Sequence, residues 1–289
     1  MYFILKLLSR FFQILPRTIA LFLGRLIGKL IYYIWPIRKS IALKNISLAF
    51  PNYNLKQKKQ LLKSCYIHYG MVLVDFFCLP NYKYGKNNSI LNLSKESLNL
   101  LNSYSKGIIF SAHIGNWEYI GPALGVNSIK CAGVAGIQKN SQSDKFFNEL
   151  RSSDNVFIVP ANSGSEIMTQ LIIDGYYIGL ISDQNAGSRG TNAKFFNYDV
   201  SVPKGAGAFH LKTNTPILLG FCILCDDYKY KLSFYEMDLT NLSKDSEQAI
   251  ADLNQRFTNF LEDLVKKYPE QYFWFHRKWN KSVYKNLKK

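Results

Sequence analysis

The chain has 289 residues, of which 47% are hydrophobic, enough for one large domain or two small ones with a buried core. Its 36 Lys and Arg residues outnumber 20 Asp and Glu, and the formal charge of +16 favours anionic partners such as a phospholipid surface, nucleic acid or an acidic protein. The five cysteines form no regular framework, which argues against disulfides and for a reducing compartment. Even Cys222 and Cys225, a C-x-x-C pair, lie in an apolar run that predicts a buried strand rather than a metal site.

The first 37 residues are apolar and aromatic but carry repeated basic residues. Their longest uncharged stretch runs only from Leu30 to Ile37, whereas a membrane-spanning helix needs roughly 20 mainly apolar residues. A cleaved signal peptide is also disfavoured, because the charges continue and no small-residue cleavage site follows. Pro16 favours the start of a second helix after a first.

Each of these two helices is predicted to be amphipathic. Basic residues four apart share one face in each helix, as Lys6 and Arg10 do in the first. The opposite faces are apolar: Ile4, Leu5, Leu8, Phe12 and Leu15, then Leu23, Ile27, Leu30, Ile31 and Ile34. We therefore expect residues 1–37 to lie on an anionic membrane surface. The alternative is a pair of ordinary amphipathic helices packed against a core.

Residues 38–289 are predicted to form one domain. After the basic Arg38-Lys39, the stretch from Asn54 to Leu79 has apolar residues at helical spacing. The predicted strands are Gly107 to Ala112, Cys131 to Ala135, Val156 to Val159, Tyr177 to Ser182, Ile217 to Ile223 and Tyr230 to Tyr235. The predicted helices are Trp117 to Leu124, Ser143 to Ser152, Ser165 to Asp174, Lys204 to Lys212 and Ser246 to Lys267. This alternation predicts an α/β fold with a largely parallel central sheet flanked by helices.

His113 is the leading candidate for a catalytic residue. It follows an apolar strand, and catalytic groups of parallel α/β sheets gather at the carboxyl ends of strands. If the chain reverses after His113 and a helix follows, the carboxylate of Glu118 can meet the imidazole. That contact would fix the tautomer and make the other ring nitrogen a general base for a hydroxyl proton. Gly115 would let a ligand approach the backbone, and free amides at the helix start would favour an oxyanion or a phosphate.

Five segments, taken in chain order, carry a family resemblance. They are Arg38 to Pro51, His113-Ile114-Gly115-Asn116-Trp117-Glu118, Asp183-Gln184 followed by Gly190 and Phe195-Phe196, Val202 to Ala206, and Pro269 to Arg277. Together they resemble the lipid A biosynthesis lauroyl/myristoyl acyltransferase family, within the lysophospholipid acyltransferase superfamily. Two places outside these five segments depart from the family pattern. Asn197 stands where the family has Gly, and Gly136 to Asn140 replaces an Arg-containing block.

The resemblance implies an enzyme that moves a fatty acyl chain from an acyl carrier protein thioester to a hydroxyl group of a lipid A precursor. It places the reaction on the cytoplasmic face of a bacterial inner membrane. His113 would remove the hydroxyl proton and Glu118 would stabilise the resulting imidazolium. The residues leave open whether the acyl group comes from acyl carrier protein or from acyl-CoA. Either thioester is a co-substrate, so no metal or other cofactor is expected. Acyl carrier protein is acidic, which suits the basic chain.

The resemblance also suggests residues that bind substrate: Asn116, Asp183, Gln184, Lys139 and Arg189. Asp183 is expected to orient the acceptor, to support His113, or merely to cap a turn. Whether Lys139, Arg151 or Arg189 binds a phosphate or the oxyanion stays open. His68 and His210 are expected to pack or to lie on the surface. For His276, a role in activity and a place in a packed C-terminal lid or membrane-facing edge both stay open.

Two other functions remain possible on the sequence alone. The acceptor can be another glycolipid or a lysophospholipid, because His113 and Glu118 would act there in the same way. A non-catalytic basic adaptor for membranes or nucleic acid also fits the charge. However, the basic residues are scattered and no nucleic-acid motif is present, so no nucleic-acid partner is expected.

Overall fold

Four helices form the amino-terminal part of the chain. The computed structural model describes residues 1–285 apart from 84, 86 and 87. The helices are α1 (Tyr2–Ile14), α2 (Arg17–Tyr33), α3 (Lys39–Ala49) and α4 (Leu55–Phe77). Pro16 immediately precedes α2, as expected. The side chain of Asn54 caps α4 in a reciprocal pair with Gln57, which satisfies backbone amides that the first helical turn leaves unpaired.

The predicted apolar faces of α1 and α2 are divided between packing and solvent. Leu5 and Phe12 pack against the rest of the protein, whereas Ile4 and Leu8 are exposed. The apolar residues of the two helices that stay exposed are Phe3, Ile4, Leu7, Leu8, Phe11, Ile14, Ile19, Phe22, Leu26, Leu30 and Tyr33. Within the described residues no helix has the length and apolar character needed to cross a membrane.

Helices α2 and α4 pack with their backbones in contact. A side-chain carbon added at Gly28 would lie 2.2 Å from the carbonyl oxygen of Tyr66, and one added at Gly70 would lie 2.1 Å from that of Gly24. Only glycine permits so close an approach. The first 33 residues therefore share a core with the remainder of the chain.

The centre of the fold is a seven-stranded sheet with the order β1-β9-β8-β2-β5-β3-β4. Its strands are β1 (Leu91–Leu93), β2 (Gly107–Ser111), β3 (Cys131–Ala135), β4 (Val156–Pro160), β5 (Tyr177–Ile181), β8 (Ile217–Leu224) and β9 (Tyr230–Glu236). Every neighbouring pair is parallel except β8 and β9. A separate antiparallel hairpin joins β6 (Gly190–Phe195) to β7 (Tyr198–Pro203). The predicted α/β fold with a largely parallel sheet is confirmed.

Helices cover both faces of the sheet. They are α5 (Leu79–Lys83), α6 (Lys95–Asn102), α7 (Ile120–Val126), α8 (Ser141–Arg151), α9 (Ser165–Ile173), α10 (Gly205–Thr213) and α11 (Ser246–Lys267). On one face Phe110 stacks on Phe257 of α11, with ring centroids 3.8 Å apart. Ile109 points to the opposite face and belongs to the cluster that contains α7. This alternation of neighbouring residues explains why β2 is buried along its whole length.

Several elements differ from the sequence predictions. The helix predicted from Trp117 begins as a 3-10 turn, Trp117–Tyr119, before α7. Strand β1, the β6–β7 hairpin and helices α3, α5 and α6 were not predicted. The hairpin turns at Phe196 and Asn197, both with positive φ, without the glycine that usually marks such a turn. Cys225, predicted to lie in a buried strand, follows the end of β8 and is exposed.

Candidate active site

His113 and Asp183 meet at the carboxyl edge of the sheet. Strands β2 and β5 are parallel neighbours in which Ser111 pairs with Ile181. Each of the two polar residues lies two positions beyond its strand, so the shared register brings them together. The Nδ1 atom of His113 is 2.6 Å from Oδ1 of Asp183, which also accepts a 3.1 Å hydrogen bond from the backbone amide of His113. Asp183 therefore orients the imidazole, one of the roles that the sequence left open for it.

The carboxylate of Asp183 is buried yet ionised. Burial alone would raise its pKa, but the charge of His113 when that ring is protonated, the hydrogen bonds from His113 and the charge of Lys278 outweigh burial and hold the pKa well below its usual range. Lys278 is itself buried; its amine donates to the main-chain carbonyl of Asp183 and lies 4.8 Å from the ring centre of Phe195. Burial, opposed in part by Asp183, lowers the pKa of Lys278 to about 8.

The other nitrogen of His113 faces Gln184. The Nε2 atom of Gln184 lies 3.2 Å from Nε2 of His113 and 2.8 Å from Nε2 of His276. Burial lowers the pKa of His276 to about 4, reinforced by the charge of His113 when that ring is protonated and by the charges of Arg38 and Lys278, and opposed in part by Asp183. His276 is thus neutral near pH 7, and its Nε2 can accept a hydrogen bond. One amide group can then donate to both imidazoles, which leaves Nε2 of His113 unprotonated when Nδ1 donates to Asp183.

The predicted contact between Glu118 and His113 is replaced by a different ion pair. Both carboxylate oxygens of Glu118 accept from Arg151 of α8, Oε2 from Nε at 2.7 Å and Oε1 from Nη2 at 2.6 Å. The 3-10 turn that carries Glu118 directs its side chain toward α8, while Asp183 takes the place beside the imidazole. Glu118 and Arg151 still line the same cleft as His113.

The backbone after His113 is fixed by its neighbours. The amide of Gly115 donates to the carbonyl of Gln271, and that of Asn116 donates to the carbonyl of Cys222. These two amides are therefore not free for a ligand; the helix itself begins after them, at Trp117. Gly115 has φ +63°, and a side chain there would collide with Cys222. Glycine is required at this turn for that reason rather than for ligand access.

Helix α4 supports the same loop from below. Nε2 of His68 lies 3.2 Å from the carbonyl oxygen of Gly115, and burial lowers the pKa of His68 to about 4, so the ring is neutral and donates. The hydroxyl of Tyr69 donates to the carbonyls of Gln271 and His113. His68, predicted to pack or lie on the surface, packs and also holds the loop that follows His113.

Asn116, predicted to bind substrate, is fully buried beneath the loop. Its Nδ2 atom is 3.3 Å from the hydroxyl of Tyr230. That hydroxyl donates to Asp75, which pairs with Arg17 at the start of α2. Asn116 thus belongs to a polar network under the site and not to the wall of the cleft.

A cleft of about 840 Å³ extends from His113 across the sheet. Ile109, Gly179, Gly133 and Ile158 lie side by side in register on β2, β5, β3 and β4 and line it. Because the two central positions carry no side chain, they leave space above the sheet. Helix α7 contributes Ile120 and Pro122 to the lining.

The basic residues considered for the oxyanion or a phosphate lie in different places. Arg151 lines the cleft and is mostly buried by its neighbours. Lys139 and Arg189 are exposed, and neither lines this cleft. Of the three candidates, the structure brings only Arg151 into the same cleft as His113.

The sequence analysis missed two residues at the site, Lys278 and Tyr69. Lys278 lies near the carboxyl end of the chain, among Trp274, Phe275 and Trp279. A lysine within such an aromatic run was a sequence signal for this residue. Tyr69 lies on the apolar stripe of α4 and gave no signal beyond packing. His276 belongs to the site through its contact with Gln184.

The first and last of the five resembling segments pack together. The Nδ2 atom of Asn45 in α3 donates to the carbonyls of Trp274 and His276, at 2.7 and 2.6 Å. The hydroxyl of Tyr284 donates to the Oδ1 atom of the same residue. This clamp holds His276 next to Gln184, so the amino-terminal segment positions a site residue that lies 231 positions away in sequence.

Comparisons with known proteins agree with the resemblance. The family model described as bacterial lipid A biosynthesis acyltransferase matches residues 1–281. A lipid A biosynthesis palmitoleoyltransferase of Escherichia coli (strain K12) is 23% identical over 270 residues, which cover 91% of this chain and 86% of the relative. A lipid A biosynthesis acyltransferase of Shigella flexneri is similar to the same extent.

Proposed function

Since the chain belongs to the bacterial lipid A biosynthesis acyltransferase family, we propose that it transfers a fatty acyl chain from acyl carrier protein to a hydroxyl group of a lipid A precursor. The observation that carries this proposal is His113 at one end of a largely apolar cleft, with its Nδ1 hydrogen-bonded to a buried, ionised Asp183. A relative of this chain is named as a palmitoleoyltransferase, an enzyme that transfers an acyl chain.

His113 acts as the general base. Its unprotonated Nε2 takes the proton of the acceptor hydroxyl while the oxygen attacks the thioester carbonyl carbon. Asp183 stabilises the imidazolium that forms, in the role first assigned to Glu118. The tetrahedral intermediate then collapses, the carbon–sulfur bond breaks, and the imidazolium returns its proton to the departing thiolate. An ester and a free thiol result, so protons and electrons balance.

Arg151 is the candidate group for the developing oxyanion. Two of its three guanidinium nitrogens bind Glu118, and Nη1 has no hydrogen-bond partner among the described residues. The bidentate pair fixes the direction of the guanidinium plane. Glu118 then contributes to activity by positioning Arg151 rather than by touching His113.

The cleft above Gly133 and Gly179 is the proposed site of the acyl chain. Its lining near these residues is apolar, and a hydrocarbon chain gains about 0.8 kcal/mol for each methylene group removed from water. The chain would lie over the two glycines and the thioester carbonyl would lie beside His113. This arrangement gives the donor an extended, mainly apolar site.

We propose that the exposed apolar residues of α1 and α2 rest among lipids on the cytoplasmic face of the inner membrane. These residues form a stripe, and the basic residues Lys6, Arg10 and Lys29 are exposed on the same helices. Exposed apolar stripes of this size mark interaction surfaces. The test is to replace Phe3, Leu7, Phe11 and Ile14 by Ser and measure the share of protein that sediments with membranes. A variant that sediments as fully as the wild type would contradict the proposal.

The reaction itself is tested by mass spectrometry of glycolipids. Membranes are incubated with the purified full-length protein and acyl carrier protein loaded with acyl chains of mixed length. We expect one added acyl chain on a lipid A precursor with the wild type and none with His113→Ala. Addition to another glycolipid or to a lysophospholipid would change the acceptor, and equal addition by both proteins would exclude the His113 mechanism and direct attention to a non-catalytic adaptor.

A further inference from the structure

We propose that a second, basic pocket next to His276 binds a phosphate ester on the lipid acceptor. This inference rests on the proposed acyl transfer and specifies how the acceptor is held. The pocket has a volume of about 460 Å³. Its lining residues are Arg38, Ile41, Gln184, Asn185, His276 and Arg277.

The pocket adjoins the reacting imidazole. Gln184 lines both this pocket and the apolar cleft, and its amide lies between His113 and His276. The ring centroids of the two histidines are 5.6 Å apart. A group bound against His276 therefore lies about the width of one sugar ring from Nε2 of His113, the atom proposed to take the hydroxyl proton.

The charge of the pocket has no counterpart within the protein. Among the described residues, neither Arg38 nor Arg277 forms an ion pair with a carboxylate. Arg38 makes only a 3.3 Å hydrogen bond to the carbonyl of Phe275, and Arg277 lies 6.0 Å from the ring centre of Tyr284. These contacts position the two guanidinium groups and leave most of their donors available. The positive charge of Arg38 also contributes to the lowered pKa of His276.

Two guanidinium groups suit a phosphate better than a neutral sugar. Each presents a planar fork of donors that matches the oxygens of a phosphate, and charge-assisted hydrogen bonds are stronger than neutral ones. His276 is neutral near pH 7 and its Nε2 accepts from Gln184, so its Nδ1 carries the proton and can donate a hydrogen bond to a sugar hydroxyl next to that phosphate. The pocket thus fits a phosphorylated sugar rather than phosphate alone.

A lipid-bearing ligand is favoured by the surroundings of Arg38. The preceding residues Ile34, Trp35 and Ile37 are 72%, 79% and 56% exposed, an apolar patch directly beside the pocket. A donor thioester also carries a phosphate, in the diester of its pantetheine arm. We assign the pocket to the acceptor because the apolar patch would hold acyl chains of a lipid, which the pantetheine arm does not have.

The experiment measures steady-state transfer by the full-length protein in detergent micelles. The acceptor is a phosphorylated glycolipid, compared with the same glycolipid after phosphatase treatment, and the donor is varied separately. The variants are Arg38→Gln, Arg277→Gln and both together, with Arg38→Lys as the conservative form. The control, Lys59→Gln with Lys244→Gln, removes two exposed charges elsewhere.

We expect KM for the phosphorylated acceptor to rise about tenfold or more for each arginine removed, with kcat nearly unchanged. On the dephosphorylated acceptor the wild type itself should show the raised KM, and the variants should add little. Arg38→Lys should recover part of the loss, and the lysine control should behave as the wild type. An equal rise on both acceptors, no rise in the double variant, or a rise in KM for the donor alone would overturn the assignment.

A binding measurement separates this inference from the proposed reaction. Phosphorus NMR of the phosphorylated glycolipid is recorded without donor, before and after the protein is added. We expect line broadening with the wild type and its loss in the double arginine variant. Arginine-dependent broadening without acyl transfer would support the phosphate site and refute the reaction. Transfer with arginine-independent broadening would do the opposite.

Discussion

Asp183→Asn and Glu118→Gln together test which carboxylate assists His113. Asp183 is bound to Nδ1 at 2.6 Å, whereas Glu118 is bound to Arg151. In Asp183→Asn the side-chain oxygen can still accept from Nδ1, so the tautomer is retained and the charge is lost. Opposite charges about 4 Å apart attract by about 4 kcal/mol at an effective dielectric constant of about 20. Because this attraction arises only when the imidazolium forms, its loss corresponds to about a 10³-fold lower kcat.

Glu118→Gln should behave differently. Arg151 loses its ionised partner in a partly buried place, which should destabilise the fold by about 1 to 3 kcal/mol. The kcat should fall only about tenfold, because the amide of Gln can still hold the guanidinium in part. The assay is acyl transfer from acyl carrier protein at saturating acceptor, with thermal unfolding measured on the same preparations. If Asp183→Asn retained more than a tenth of the wild-type kcat while Glu118→Gln lost 10³-fold, the assignment drawn from the structure would be refuted.

Three further changes test other parts of the molecule. Gly179→Ala and then Gly179→Val should shift the preferred acyl chain to shorter lengths in steps, because a carbon added there stays at least 3.7 Å from other atoms and occupies the cleft. A shift of two methylene groups corresponds to about 1.6 kcal/mol, or roughly tenfold in relative rate. An unchanged chain-length profile would exclude this path for the acyl chain. In the wild type, His68 takes up a proton between about pH 6.5 and pH 4 in the unfolded chain but not in the folded protein, where its pKa is about 4, so acid lowers the free energy of unfolding. His68→Gln should make this loss smaller by about 3 kcal/mol. Denaturant unfolding across this pH range measures the loss, and identical pH profiles in the two proteins would contradict the prediction. Gly28→Ala should cost about 1 to 3 kcal/mol and lower Tm by several degrees, because the new carbon would meet backbone of α4; Gly136→Ala, which meets no atom within 4 Å, is the control, and equal Tm values in the two variants would argue against the close packing.

The sheet was predictable because its strands are short, apolar and bounded by polar turns. The strand from Cys131 to Ala135 and the helix from Ser246 to Lys267 have the predicted limits. Strand β1 has three residues, too few for a periodic pattern. Helix α3 was missed because its apolar positions are spread around its circumference rather than gathered on one face, so helical periodicity gave a weak signal there.

The partner of His113 was harder to predict from sequence. Glu118 is five positions away, and a local motif invites a local contact. Asp183 is 70 positions away, and its approach depends on β5 lying beside β2, a property of strand order that no single segment encodes. The general rule that polar residues after parallel strands converge at one edge was available for both residues. The sequence pattern does not show that β2 and β5 are neighbours in the sheet.

The backbone contact between α2 and α4 has a consequence for how the protein meets a surface. Helix α2 carries part of the exposed apolar stripe, and α4 holds the loop of His113 through His68 and Tyr69. With glycines at the crossing, no side chains lie between the two helices to slide or tilt. The fold therefore fixes the distance between the imidazole of His113 and any bilayer on which α2 rests. An acceptor lipid would have to present its hydroxyl group at that distance from the bilayer, whatever acyl chains the lipid carries.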